Sequence, residues 1–66
     1  MIEYNDENCV KVARYVAEQM DIERLIEFAT EKLYDRYADE KTGEYAFRLD
    51  IDINSIKEKD LDGIPD

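Results

Sequence analysis

Two different periods run along this 66-residue chain. In the first, Cys9, Val12, Ala13, Val16, Ala17 and Met20 recur at steps of three and four. That spacing predicts an amphipathic helix over about residues 6–20. Asn5-Asp6-Glu7-Asn8 supplies capping residues and early acids at its start, and Glu7 and Lys11 stand four apart in the favourable order. A second stripe, Ile22, Leu25, Ile26, Ala29, Leu33 and Tyr37, predicts a helix over about 22–38. Asp21 suits its N-cap, and Glu23 complements the helix dipole. At about 100° per residue the second stripe falls nearly opposite the first. A single straight helix then lacks one continuous buried face, so a break is expected near Met20-Asp21. The alternative is one long helix shared between two chains.

The segment Asp39–Glu44 has no apolar period, and Gly43 offers a turn or a left-handed stop. Beyond it the period changes to two: Tyr45, Phe47, Leu49, Ile51 and Ile53 alternate with Ala46, Arg48, Asp50, Asp52 and Asn54. This predicts a half-buried strand or extended segment over about 45–53. A lone strand leaves its backbone unpaired. Its mate is then the Met1–Tyr4 segment, the same strand of a second copy, or the sheet edge of a partner; otherwise the segment lies extended across the helices. Ser55 with Glu58 three residues on suggests a capping box for a helical turn over 55–61. Gly63 and Pro65 end regular structure, and a mobile tail is expected over about 62–66. The fold class expected is α+β, mostly α with a short β element: one small domain of two amphipathic helices followed by one extended segment.

Size and composition add a partner to this picture. A chain this short buries only about 60% of its unfolded surface. Cys9 is its one cysteine and it has no histidine, so neither a disulfide nor a zinc cluster can staple it. A partner chain is the remaining support, so a homodimer or a hetero-complex is expected, with a thin-cored monomer as the other reading. Eighteen acidic against nine basic residues give a net charge of −9. This argues against direct binding to nucleic acid or to an anionic membrane and permits a protein partner with a basic surface; the same surplus also serves solubility. The residues Met1–Glu7 lack the basic and apolar stretches of a signal peptide. Apolar runs reach only two to three residues, far short of a membrane span. A single free cysteine fits a reducing compartment, and the cytoplasm is expected.

Within the second helix, Glu23, Glu27, Glu31, Asp35 and Asp39 stand four residues apart and line up in one column, about 6 Å between neighbours. Like charges at this spacing repel. Arg24, Lys32 and Arg36 lie beside them and relieve part of the repulsion. The column is a candidate partner-binding ridge for a basic groove, against the plainer reading of a solvated face. Tyr15 and Tyr34 lie off the main apolar stripes and are candidate contact residues, since tyrosine suits interfaces; edge-of-core packing is the other reading. Cys9, on the apolar stripe, reads as a small core residue.

The C-terminal acids Glu58, Asp60, Asp62 and Asp66 resemble the calcium loops of extracellular repeat proteins, and Asp50, Asp52 and Asn54 imitate the start of an EF-hand loop. Both patterns depart from their templates: Glu58 replaces the first Asp, Ser55 stands where glycine is needed, and Leu61 stands where the bidentate Glu belongs. Weak calcium binding is one alternative function. No catalytic histidine, phosphate loop or nucleophile–base pair is present in the sequence, so no enzyme activity, catalytic residue, resident metal or cofactor is expected.

The stretch Val12–Met20, with Leu25-Ile26-Glu27-Phe28-Ala29 and Leu33-Tyr34-Asp35-Arg36-Tyr37, resembles short acidic proteins encoded by marine cyanobacterial phages. The resemblance covers about half the chain and carries no functional residues over. It implies a viral protein acting in the host cytoplasm, where such proteins bind and redirect host machinery. The function expected is therefore that of an acidic inhibitor or adaptor for a basic host or partner protein, with nucleic-acid-binding proteins among the candidates. The alternative is a small self-associating structural protein with no charge-specific partner.

Overall fold

The computed structural model describes residues 1–20 and 25–64. Among these it forms four helices and no strand: α1 over Asp6–Gln19, α2 over Ile26–Tyr37, α3 over Gly43–Asn54 and α4 over Glu58–Asp62. The expected α+β class with a short β element is thus corrected to an all-helical one.

α1 begins where its cap residues place it. The Asn5 side chain accepts a hydrogen bond from the Asn8 N–H at 2.8 Å, and Asp6 and Glu7 sit in the first turn. This satisfies an orphan donor and places negative charge at the positive end of the dipole. Its stripe of Cys9, Val12, Ala13, Val16 and Ala17 is buried, whereas Met20, just beyond the helix, is 46% exposed.

α1 ends at Gln19 and α2 begins at Ile26, so the two stripes belong to separate helices that pack on each other. Asp21, Ile22, Glu23 and Arg24 lie outside the described residues, and with them the proposed cap and the first member of the acidic column. In α2, Tyr37 is fully buried while Ile26, Ala29 and Leu33 are half-buried; Leu25 is exposed.

The segment read as a strand is α3. Residues spaced by two include residues spaced by four, and on a helix the latter share a face. Phe47 and Ile51 form one such ridge, which packs inward with Ala46 and Asp50. Tyr45, Leu49 and Ile53 form another, turned away from Phe47 by about 120–160° at 100° per residue. A helix satisfies its own backbone groups, whereas an isolated strand leaves its ladder open. With no second strand among the described residues, the helix is the conformation that closes the hydrogen-bond account.

Gly43 marks the boundary for a different reason from the one expected. Its φ is not positive. It is the buried first residue of α3, and a Cβ there would lie 2.1 Å from the Tyr37 carbonyl oxygen. Only glycine permits this approach of α3 to the end of α2. Ser55, in place of opening a capping box, closes α3 in the left-handed conformation, φ 52° and ψ 42°. The Ile56 N–H bonds the Ile51 carbonyl at 3.0 Å and the Ser55 N–H bonds the Asp52 carbonyl at 3.2 Å. This is a Schellman motif with buried Ile56 as its apolar clasp.

α4 is instead opened by Asp60, whose carboxylate accepts from the Lys57 N–H at 2.8 Å. The tail expected to be mobile starts inside this helix: Asp62 closes α4, and Ile64 packs against the core. Pro65 and Asp66 lie outside the described residues.

The core is an aromatic crossing. The Phe47 ring meets Tyr4 edge-on at 5.1 Å and Tyr37 at 5.8 Å, tying the N-terminal lead, α2 and α3 together. The Tyr4 hydroxyl donates to the Tyr37 carbonyl, and Arg48 donates to the Ile2 carbonyl.

Candidate functional site

The acidic column sits on the outer side of α2 because Tyr37, with Ile26 and Leu33, fixes which side faces α1 and α3. Glu27, Glu31 and Asp35 are all exposed. With 1.5 Å of rise per residue their Cα atoms climb in steps of about 6 Å. None of the three forms an ion pair with a described residue. Four basic side chains are engaged elsewhere: Lys11 with Glu7 at 3.3 Å, Arg14 with Glu18 at 3.4 Å, Arg48 with Glu44 at 3.8 Å, and Arg36 with Asp50 at 3.3 Å.

Neither of the column's described basic neighbours forms an ion pair with it. Arg36 turns to Asp50, and the Lys32 ammonium lies 5.3 Å from the centroid of the Phe28 ring. Arg24 is outside the described residues.

The two ends of the predicted ridge differ from its middle. Glu23 lies outside the described residues. The Asp39 carboxylate is committed to the turn after α2: one oxygen accepts from the Lys41 N–H at 2.8 Å and the Thr42 N–H at 2.9 Å. These donors, Thr42 foremost, hold its carboxyl below the usual carboxylate range. Glu27, Glu31 and Asp35 therefore remain as the column available to a partner.

Next to them is a residue that the sequence reading did not single out. Phe28 is 57% exposed, and on a helical wheel it stands opposite buried Tyr37. That wheel position was the signal available in the sequence. A cleft of about 480 Å³ between α1 and α2 adjoins the column on its other side. Val10, Thr30 and Tyr34 line it along with Glu31 and Asp35, so apolar and acidic groups share one small concavity.

Tyr34 and Tyr15 are placed less openly than a free contact residue. Both are half-buried and pack against the core cluster. The Tyr34 hydroxyl donates to Asp6, tying α2 to the first turn of α1, and that bond to a carboxylate raises its pKa. Tyr34 still lines the cleft with its ring; Tyr15 does not line it.

The calcium-like patterns are taken apart by the fold. Asp50 is buried, accepting from the Tyr37 hydroxyl at 2.7 Å and from Arg36. The Asn54 amide donates back to the Asp50 carbonyl at 2.9 Å. Asp60 caps α4, and Asp66 is outside the described residues. No three acids, cysteines or histidines among the described residues are placed to hold a metal ion. Cys9 is buried in the core, and burial followed by the charge of Asp6 pushes its thiol pKa up, away from the reactive thiolate. Among the described residues no helix is long and apolar enough to cross a membrane. No known protein family, characterised protein or solved structure matches this chain.

Proposed function

We propose that the chain is a small acidic binding protein, an inhibitor or adaptor that engages a basic surface of a partner protein through the outer face of α2. The observation that carries this reading is the arrangement at Glu31 and Asp35. Two exposed carboxylates, in ion pairs with no described residue, edge a cleft whose other lining is Val10, Thr30 and Tyr34. A lysine or arginine side chain has the matching form, an apolar stem ending in a cation. Glu27 extends the negative surface by one turn, and Phe28 adds an aromatic anchor beside it, the kind of residue that concentrates binding energy at interfaces.

Taken with the resemblance to phage proteins, the partner proposed is a host protein in the host cytoplasm, one whose basic surface normally holds nucleic acid. The reading is of a binding module and not of an enzyme.

The test compares wild-type protein with the Glu27→Lys/Glu31→Lys variant as baits in host lysate at low and raised salt. Both substitutions are on exposed positions, so circular dichroism is expected to show an unchanged helix content. Basic proteins retained by wild type, released by salt and absent from the variant support the proposal. Equal retention by both baits, or no salt-sensitive basic protein on wild type, overturns it.

A further inference from the structure

The ridge that α3 turns outward has no counterpart in the function proposed for α2. Tyr45 and Ile53 are 72% and 68% exposed, and Leu49 between them is half-buried without joining the core cluster. These three residues are spaced four apart and run about 12 Å along the helix. We infer that this ridge is a self-association surface, on which two copies of the chain pair their α3 helices antiparallel about a two-fold axis near Leu49.

Symmetry is the first support. A two-fold contact requires a patch that complements itself. With the axis at Leu49, Tyr45 of one copy meets Ile53 of the other, because both lie four residues from the centre. The same operation brings Asp52 beside Arg48 of the second copy. Arg48 is held to the Ile2 carbonyl, and its bridge to Glu44 is long, 3.8 Å, so its outer edge remains available to another carboxylate.

Charge selects the occupant. The outer face of α2 carries Glu27, Glu31 and Asp35, and it repels a second copy that itself has a net charge of −9. The outer side of α3 mixes signs. Glu44, Arg48 and Asp52 lie along it, with exposed Lys41 and Lys57 just beyond its two ends. An acidic copy is therefore least repelled at α3, while a basic partner is drawn to α2.

One 12-residue helix face covers less than the roughly 800 Å² per partner of a standard stable interface. The dimer is accordingly reversible and concentration-dependent. Its response to salt is opposite to that of the α2 contact. Added salt screens the repulsion between two acidic copies and strengthens the dimer, whereas it weakens capture of a basic partner.

Sedimentation velocity over a concentration series, at low and raised salt, tests the inference. Wild type is expected to pass from monomer to dimer with concentration, with the midpoint moving to lower concentration as salt rises. The Tyr45→Lys/Ile53→Lys variant is expected to stay monomeric with unchanged helix content, and Glu27→Lys/Glu31→Lys to dimerise at least as well as wild type. Register is tested by oxidation. A mixture of Tyr45→Cys and Ile53→Cys proteins is expected to form mixed disulfides, and neither protein alone to cross-link. A wild type that is monomeric throughout, a Tyr45/Ile53 variant that dimerises as wild type, loss of the dimer in the Glu27/Glu31 variant, or self-cross-linking by either cysteine variant alone overturns the inference. None of these outcomes depends on whether α2 binds a basic partner.

Discussion

α1 and α3 are helices of similar length, fourteen and twelve residues, and they spend their apolar side chains in opposite ways. α1 gathers Cys9, Val12, Ala13, Val16 and Ala17 into one stripe and buries all five. α3 divides its large apolar residues between two sides, so that Phe47 and Ile51 reach the core while Tyr45 and Ile53 stay in solvent. It even buries a carboxylate, Asp50, between them. The contrast teaches that α1 commits its apolar stripe to the core, whereas α3 leaves part of its apolar surface in solvent. α2 falls between the two, with a buried tyrosine inside and an acidic and aromatic surface outside.

Four measurements sharpen or break this contrast, the first with the largest expected effect. Phe47→Ala removes the ring at the aromatic crossing and is expected to cost about 3–5 kcal/mol. A chain of this length has a total stability of only about 3–10 kcal/mol, so a urea titration followed by circular dichroism should find the variant's midpoint far below that of wild type. A small loss would mean that α3 does not seat the core.

Tyr37→Phe leaves the Asp50 carboxylate with Arg36 alone and is expected to cost about 1–3 kcal/mol. The Tyr37 phenol is raised above its ordinary value of 10.0, first by burial and then by its hydrogen bond to Asp50. A phenol raised on folding stabilises the fold fully below its unfolded pKa and loses that contribution as pH rises through the folded value. Wild type should therefore lose stability in alkali above pH 10, and the variant should lose less of it there.

Ser55→Gly, at the left-handed residue that closes α3, is expected to stabilise by about 1 kcal/mol, because glycine has no Cβ to strain at positive φ. A destabilised variant would show that the serine side chain has a role of its own at the cap. Ile53→Ser, on the outward ridge, should change stability by no more than about 0.5 kcal/mol in dilute monomer. A loss approaching that of Phe47→Ala would erase the distinction between the two faces.

How much of this was legible beforehand varies with the element. α1 was readable because its apolar residues keep three- and four-residue steps and Asn5 stands at its start. The acidic column was readable because its members are four apart, and Glu27, Glu31 and Asp35 share the outer face of α2. The choice of ion pairs was not, since Arg36 neighbours Asp35 in sequence yet bonds Asp50, which only the packing of α2 on α3 brings near. Asp39 looked like one more ridge residue until the turn claimed its carboxylate.

Local spacing along the chain sets the first helix, the second helical stripe, the boundary ahead of Gly43 and the excess of negative charge. These depend on neighbours a few residues apart, which a linear chain displays. That residues 45–53 are helical, that Asp50 is an interior group and that an apolar ridge is left on α3 follows from packing between distant parts of the chain. The alternation there satisfies either period, and the choice rests on whether another strand exists to pair with. Among the described residues none does, so the backbone pairs with itself, and half of the apolar pattern that a strand would have pointed at one core is turned outward.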